Sequence, residues 1–157
     1  MKYKPNRVVG MLVLSVALFG AAAAAQDSAQ APSDDDQSSV VGCLRTINTA
    51  EVAYATTYNT GFSPTLKALS VPDHGTDYTA SAAGLIDASL GSSKRNGYVF
   101  TYKPGAADAH GKASTYSVSV RPIKWQKGVR SFFTDQTGMI RSTTENRAAS
   151  AKDSAIE

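Results

Sequence analysis

SSVVGCLRTINTAEVAYATTY, residues 38–58, decides the fold. Val40, Val41, Leu44, Ile47, Tyr54, Ala55 and Tyr58 recur at three- and four-residue steps, so they share one face of a helix. Ser38 or Ser39 can cap its start, and the acidic stretch before it suits the positive helix end. Gly61, soon after Tyr58, fits the stop. One residue breaks the stripe: Glu51 projects between Ile47, Tyr54, Ala55 and Tyr58. A buried carboxylate is costly unless a cation or several donors meet it. Glu51 is therefore expected to be a polar anchor between helix and sheet, paired with Arg130, Arg121 or a tyrosine hydroxyl. Acid–base catalysis would want a second carboxylate at fixed spacing, and none is placed so.

Downstream, Ser63-Pro64 opens a short helical turn carrying Leu66 and Leu69, with Pro64 at its first position. Val71 to Ala83 reads as irregular, and Leu85 to Leu90 as a short helix ended by Gly91. From Tyr98 the period changes to two. Tyr98 to Lys103 is a strand, Pro104 to Lys112 its turn, and Ser114 to Val120 the partner. Pro122 to Gly128 interrupts the pattern. Val129 to Thr134 and Met139 to Ser142 form a second hairpin around Asp135-Gln-Thr-Gly138. The expected fold is α+β: an N-terminal amphipathic helix packed on an antiparallel sheet of about four strands.

Working toward the N-terminus, Lys2, Lys4 and Arg7 precede an uncharged run from Val8 to Ala25 that ends in Ala23-Ala24-Ala25. This is the three-part pattern of a secretory signal, with cleavage expected before Gln26. The alternative is a retained anchor, because the run approaches the roughly 20 apolar residues that span a bilayer. The domain plan is then a signal peptide at 1–25, a disordered acidic linker at 26–37, a globular domain at 38–142 and a disordered tail at 143–157. The linker and tail hold almost no bulky apolar side chain with which to repay the entropy of ordering. Localisation follows as periplasmic or secreted, or as inner-membrane anchored if the run is kept.

Charge says less than it promises. The formal +3 equals the three basic residues of the first 25, and beyond them thirteen basic residues face thirteen acidic ones. Net charge therefore gives no ground for a nucleic-acid partner. A single cysteine, Cys43, cannot close an internal disulfide, and with two histidines it leaves no structural zinc set.

Residues 44–54 (LRTINTAEVAY), with Thr57-Tyr58 and Gly61-Phe-Ser-Pro-Thr-Leu66, resemble the headpieces of bacterial type IV pilin-like proteins and type II secretion pseudopilins. Leu85-Ile-Asp87, Gly97 to Gly105 and Phe132 to Arg141 are similar to that group as well, so the resemblance covers about residues 38–142. It implies a helix laid on an antiparallel sheet and a structural role in the cell envelope. Prepilins of that family carry a hydrophobic stem helix whose fifth residue is usually glutamate, continuous with the headpiece helix. Here Gly10 is followed by Met11-Leu-Val-Leu-Ser15, with serine in that place, and a polar linker intervenes. The chain thus resembles a headpiece set behind an ordinary export signal.

Three other constellations merit reading as chemistry. Asp73, His74 and Asp77 lie close in one loop, and Asp108, His110 and Gly111 in another. Oxygen ligands in loops can hold calcium, and the resemblance implies a loop site of that kind, but turn formation explains Asp and Gly equally well. Asp73, Asp77 and Asp108 are the weak metal candidates, and no other cofactor is expected. Arg121, Lys124, Lys127 and Arg130 surround Trp125 and could grip an anionic partner. The plainer reading is a solvated connection whose Trp125 plugs the sheet edge. Cys43 has no sequence-placed activating partner and reads as a packing residue.

The expected function is a non-enzymatic, exported pilin- or pseudopilin-like headpiece that contacts a protein of a pilus or secretion machine. Nucleic acid is not an expected partner, and membrane is one only if the N-terminal run is retained. The alternatives are a membrane-anchored minor pilin or pseudopilin, and a small calcium-binding or enzymatic envelope module.

Overall fold

The computed structural model describes residues 30–72 and 77–156. Helix α1 runs from Asp34 to Tyr58, 25 residues. It starts four residues earlier than the apolar stripe indicates, so the last part of the expected linker is helical. The reason is a capping box. Ser33 Oγ accepts the Asp36 N–H at 3.1 Å, and Asp36 Oδ2 accepts the Ser33 N–H at 2.9 Å. Asp34, Asp35 and Asp36 also set negative charge on the positive helix end. Ser38 and Ser39 lie inside the helix rather than at its cap. At the far end Asn59 takes a left-handed conformation (φ 53°) and its N–H closes on the Ala55 carbonyl.

Gly61, expected to stop the helix, has a different task. Its φ is +80°, and a Cβ there would overlap the Ala113 carbonyl. This close approach lets Phe62 donate to Ala113 O at 2.8 Å. A 3₁₀ turn follows at Leu66–Leu69, capped by Thr65 rather than opened by Pro64. Its backbone then zips to the chain at 83–86: Leu85 and Ile86 both donate to Leu69 O. Helix α2 is a single turn, Ala88–Gly91, capped by Asp87.

Six strands form one antiparallel sheet in sequence order: β1 Lys94–Arg95, β2 Tyr98–Pro104, β3 Tyr116–Pro122, β4 Ser131–Asp135, β5 Arg141–Thr143 and β6 Ser154–Ala155. The coarse α+β expectation holds, with one long helix and six strands where about four were read. The two extra strands lie at the edges. β1 joins β2 through Asn96-Gly97, both at positive φ (50° and 73°), as a two-residue type I′ turn requires. β6 comes from the segment read as a disordered tail. Ile156 donates to Ile140 O at 2.9 Å, Arg141 donates to the Asp153 carbonyl, and Arg147 pairs with Glu145 and Asp153. Backbone pairing and a local charge cluster hold this stretch, with Ala149 buried and Ile156 packed half-buried against the core.

The core lies between α1 and one face of the sheet. Val40, Cys43, Leu44, Ile47, Ala50, Glu51 and Tyr54 are buried at helical spacing, while Val41, Ala55 and Tyr58 flank them half-exposed. The sheet contributes Tyr98, Phe100, Tyr116, Val118, Val120 and Phe132 at alternate positions. The opposite sheet face carries Thr101, Ser119, Phe133 and Arg141 across the register.

Candidate functional site

Glu51 and Asn48 stand one helical turn apart on α1 and both reach into the sheet side. Glu51 is fully buried. Its carboxylate meets no arginine; both oxygens meet Ser63, twelve residues on. Ser63 N–H donates to Oε2 at 2.8 Å and Ser63 Oγ–H to Oε1 at 2.6 Å. A serine hydroxyl has one hydrogen, and it is spent on Glu51. The Tyr102 hydroxyl, 3.2 Å from Ser63 Oγ, gives its own hydrogen to the Ser63 carbonyl at 2.8 Å. Of the three partners expected for Glu51, the arginines are wrong, and a tyrosine hydroxyl enters beside Ser63. Charged guanidinium groups remain outside because Arg121 and Arg130 are solvent-exposed.

Asn48 completes the seam. Its Nδ2 donates to Thr134 Oγ1 and to the Gly138 carbonyl, both at 3.0 Å, and its Oδ1 accepts from the Tyr116 hydroxyl at 2.9 Å. Tyr102 and Tyr116 stack with centroids 6.0 Å apart, and Phe62 meets Tyr116 edge-on at 4.8 Å. Ser63, Asn48, Tyr102, Tyr116 and Thr134 were not singled out from the sequence. Asn48 had a signal, since it lies three residues before Glu51 on the same side of the helix.

The electrostatics fit a structural seam. Burial pushes the Glu51 carboxyl above its ordinary range, and the hydrogen bonds from Ser63 pull it only part of the way back. Burial likewise raises the Tyr102 and Tyr116 phenols, with the nearby Glu51 adding to it. Glu51 has no exposure of its own, and each of its oxygens faces a donor of Ser63.

The remaining candidates disperse. Asp108 is fixed in its turn by accepting the N–H groups of His110 (2.8 Å) and Lys112 (2.9 Å), which hold its carboxyl below the usual range. Asp77 is exposed, and Asp73 and His74 lie outside the described residues. Among the described residues no three His, Cys, Asp or Glu side chains gather to hold a metal ion. Cys43 is buried and its thiol is pushed up by that burial, with Arg95 opposing.

The basic group separates into three. Arg121 donates to Asn146 Oδ1 at 3.0 Å, and Arg130 lines a shallow depression with Asp34 and Gln37. Lys124, Trp125 and Lys127 stay together on the β3–β4 loop. Trp125 is 37% exposed.

No protein-family model, curated protein or solved structure matches the chain. Among the described residues no helix is long and apolar enough to cross a membrane.

Proposed function

We propose that the chain is an exported, non-enzymatic interaction domain of pilin-headpiece type, acting in the cell envelope beside a pilus or type II secretion machine. The observation that carries this reading is the construction of α1. The helix is stopped at Ser33 by its own capping box, and its polar core residues Asn48 and Glu51 are spent on fastening it to the sheet side. That arrangement supports a head held together by its own contacts, and among the described residues no three His, Cys, Asp or Glu side chains gather. The resemblance over residues 38–142 and the export-like N-terminus support this compartment and partner class.

Photocrosslinking in the envelope tests the reading. The crosslinker is placed at exposed Val52 on α1 or exposed Met139 beside β5. The expected adduct is with a subunit of a pilus or secretion assembly. Recovery of the free protein alone from cells that make such an assembly, or turnover of a small substrate by the purified protein, would contradict it.

A further inference from the structure

One surface segment seals the buried Glu51 carboxyl. Between Asn59, which caps α1, and Leu66, where the 3₁₀ turn begins, Ser63 alone is buried. Gly61 and Phe62 before it are half-exposed, and Pro64 and Thr65 after it are exposed. The hydrogens at this lid can be counted. Ser63 Oγ has Glu51 Oε1 at 2.6 Å and the Thr65 carbonyl at 3.1 Å, and one hydrogen to give. With Glu51 ionised, that hydrogen goes to Oε1 and Thr65 receives none from it. With Glu51 protonated on Oε1, the acid O–H donates to Ser63 Oγ, the Ser63 hydrogen passes to Thr65, and Ser63 N–H still reaches Oε2 at 2.8 Å. The acid form therefore fills one more contact than the anion does. The groups facing Glu51 offer an anion no charge in return: α1 presents Tyr54, β2 Tyr102 and β3 Tyr116, and each phenol is raised with Glu51 nearby. On the neighbouring segments Lys112 donates to Asn59 Oδ1, Lys67 and Lys103 are exposed, and Asp135 accepts from Thr137.

We propose that Gly61–Thr65 is a proton-controlled latch, closed over Glu51 while the carboxyl holds its proton and open to water once that proton has left. An ion in this pocket would be desolvated without a cation, and lifting a lid one buried residue deep gives it water at far smaller cost than unfolding the core. The ties of the segment set which part moves. At its start Phe62 N–H meets Ala113 O at 2.8 Å and the Phe62 ring meets Tyr116, both near the surface, whereas Leu66 and Leu69 fix its end in the core. Opening therefore hinges at Leu66 and lifts Phe62 from Tyr116, which removes one wall of the groove that Phe62 shares with Asn48 and Val52. In the open segment Glu51 ionises near the ordinary pH of about 4.3, so a rise in pH above that favours opening and acid favours closure. Burial, which raises the Glu51 carboxyl in the closed form, acts in the same direction. The movement is confined to this segment, with the β2–β3 ladder staying closed. The inference does not rest on the headpiece reading.

Amide hydrogen exchange of the purified protein, followed by mass spectrometry over a series of pH values and corrected for the intrinsic exchange rate, tests the latch. Protection of Phe62, Ser63 and Thr65 should fall about tenfold per pH unit above about pH 4.3, until the closed form itself ionises. Protection of the β2–β3 ladder should not follow it. Glu51→Gln, which keeps an acceptor for the Ser63 N–H and cannot ionise, should hold the segment closed at every pH. Ser63→Ala should speed exchange of the segment and keep its pH slope, because the carboxyl remains. A carboxyl titration of the natural chain, by nuclear magnetic resonance with labelled glutamate, needs no variant and should find one glutamate ionising well above the rest. Protection indifferent to pH, an equal fall in Glu51→Gln, or a ladder that opens together with the segment would overturn the proposal. So would a Glu51 carboxyl that titrates with the exposed glutamates.

Discussion

Replacing Glu51 by glutamine should change how stability responds to pH far more than it changes stability itself. Glu51 is fully buried, and its carboxyl is raised by burial despite two hydrogen bonds from Ser63. In the unfolded chain a glutamate ionises near pH 4.3, so above that pH the unfolded state loses its proton while the folded state still holds it. The protonated carboxyl's contribution is whole below about pH 4.3. It is then lost, at about 1.4 kcal/mol per pH unit, as the pH rises to the folded value. Glutamine resembles the protonated acid: its carbonyl can accept the Ser63 N–H and its amide can donate to Ser63 Oγ. Glu51→Gln should therefore match the natural chain at acid pH and gain on it through the window. Glu51→Ala should lose about 2–4 kcal/mol at acid pH, because the Ser63 N–H is left buried without its acceptor and a small cavity opens, and that deficit should shrink through the same window as the natural chain loses stability. Urea denaturation followed by circular dichroism, at a series of pH values, measures all three. The difference between natural and glutamine chains cancels the other carboxyls, including Asp87, whose pKa is lowered to about 2 by Ser89, the Leu90 N–H and Arg95. A natural chain that becomes steadily more stable than Glu51→Gln as pH rises would refute the reasoning. It would mean that the Ser63 donors outweigh desolvation and that the site is built for the anion.

Ser131→Ala should be neutral or stabilising by up to about 1 kcal/mol in the same urea assay, because the buried Ser131 hydroxyl finds no hydrogen-bond partner among the described residues. Gly61→Ala should cost about 2 kcal/mol or more, since it combines a φ of +80° with overlap on the Ala113 carbonyl. Ser33→Ala should cost about 1 kcal/mol and lower helix content by circular dichroism, through loss of the box with Asp36. Native Cys43 should react with a thiol reagent far more slowly than the denatured chain does, because it is buried with a raised pKa.

The residues that follow a period were legible. Leu44, Ile47 and Tyr54 announced the helix face, and Tyr98, Phe100, Tyr116, Val118 and Val120 announced the sheet face, because burial on one side imposes spacing. Glu51 stood out for the same reason: a charge inside an apolar stripe must be answered. Its answer was not legible, since Ser63 is apolar-neutral in pattern and is brought in by the Gly61 turn. Asp34 to Asp36 have the hydropathy of a polar linker, so the apolar stripe starts later than the helix does. The Ser33–Asp36 spacing, which determines the cap, carries no hydropathy. β1 is two residues long and gives no alternation, although Asn96-Gly97 was a hairpin signal in plain view. The last strand is held by backbone pairing and by Arg147 with its two carboxylates, interactions to which a count of apolar residues is blind. Loops decide the rest: Trp125 in an interrupted segment offered no way to tell an inward ring from an outward one.

An intact-mass measurement of the protein recovered from the envelope reaches the centre of the account most directly. A first residue at Gln26 is the result expected for a free head whose rod begins at its own serine cap. A first residue at Met11, or a chain that keeps its apolar N-terminal run, would contradict it and return the molecule to the anchored subunits of a filament.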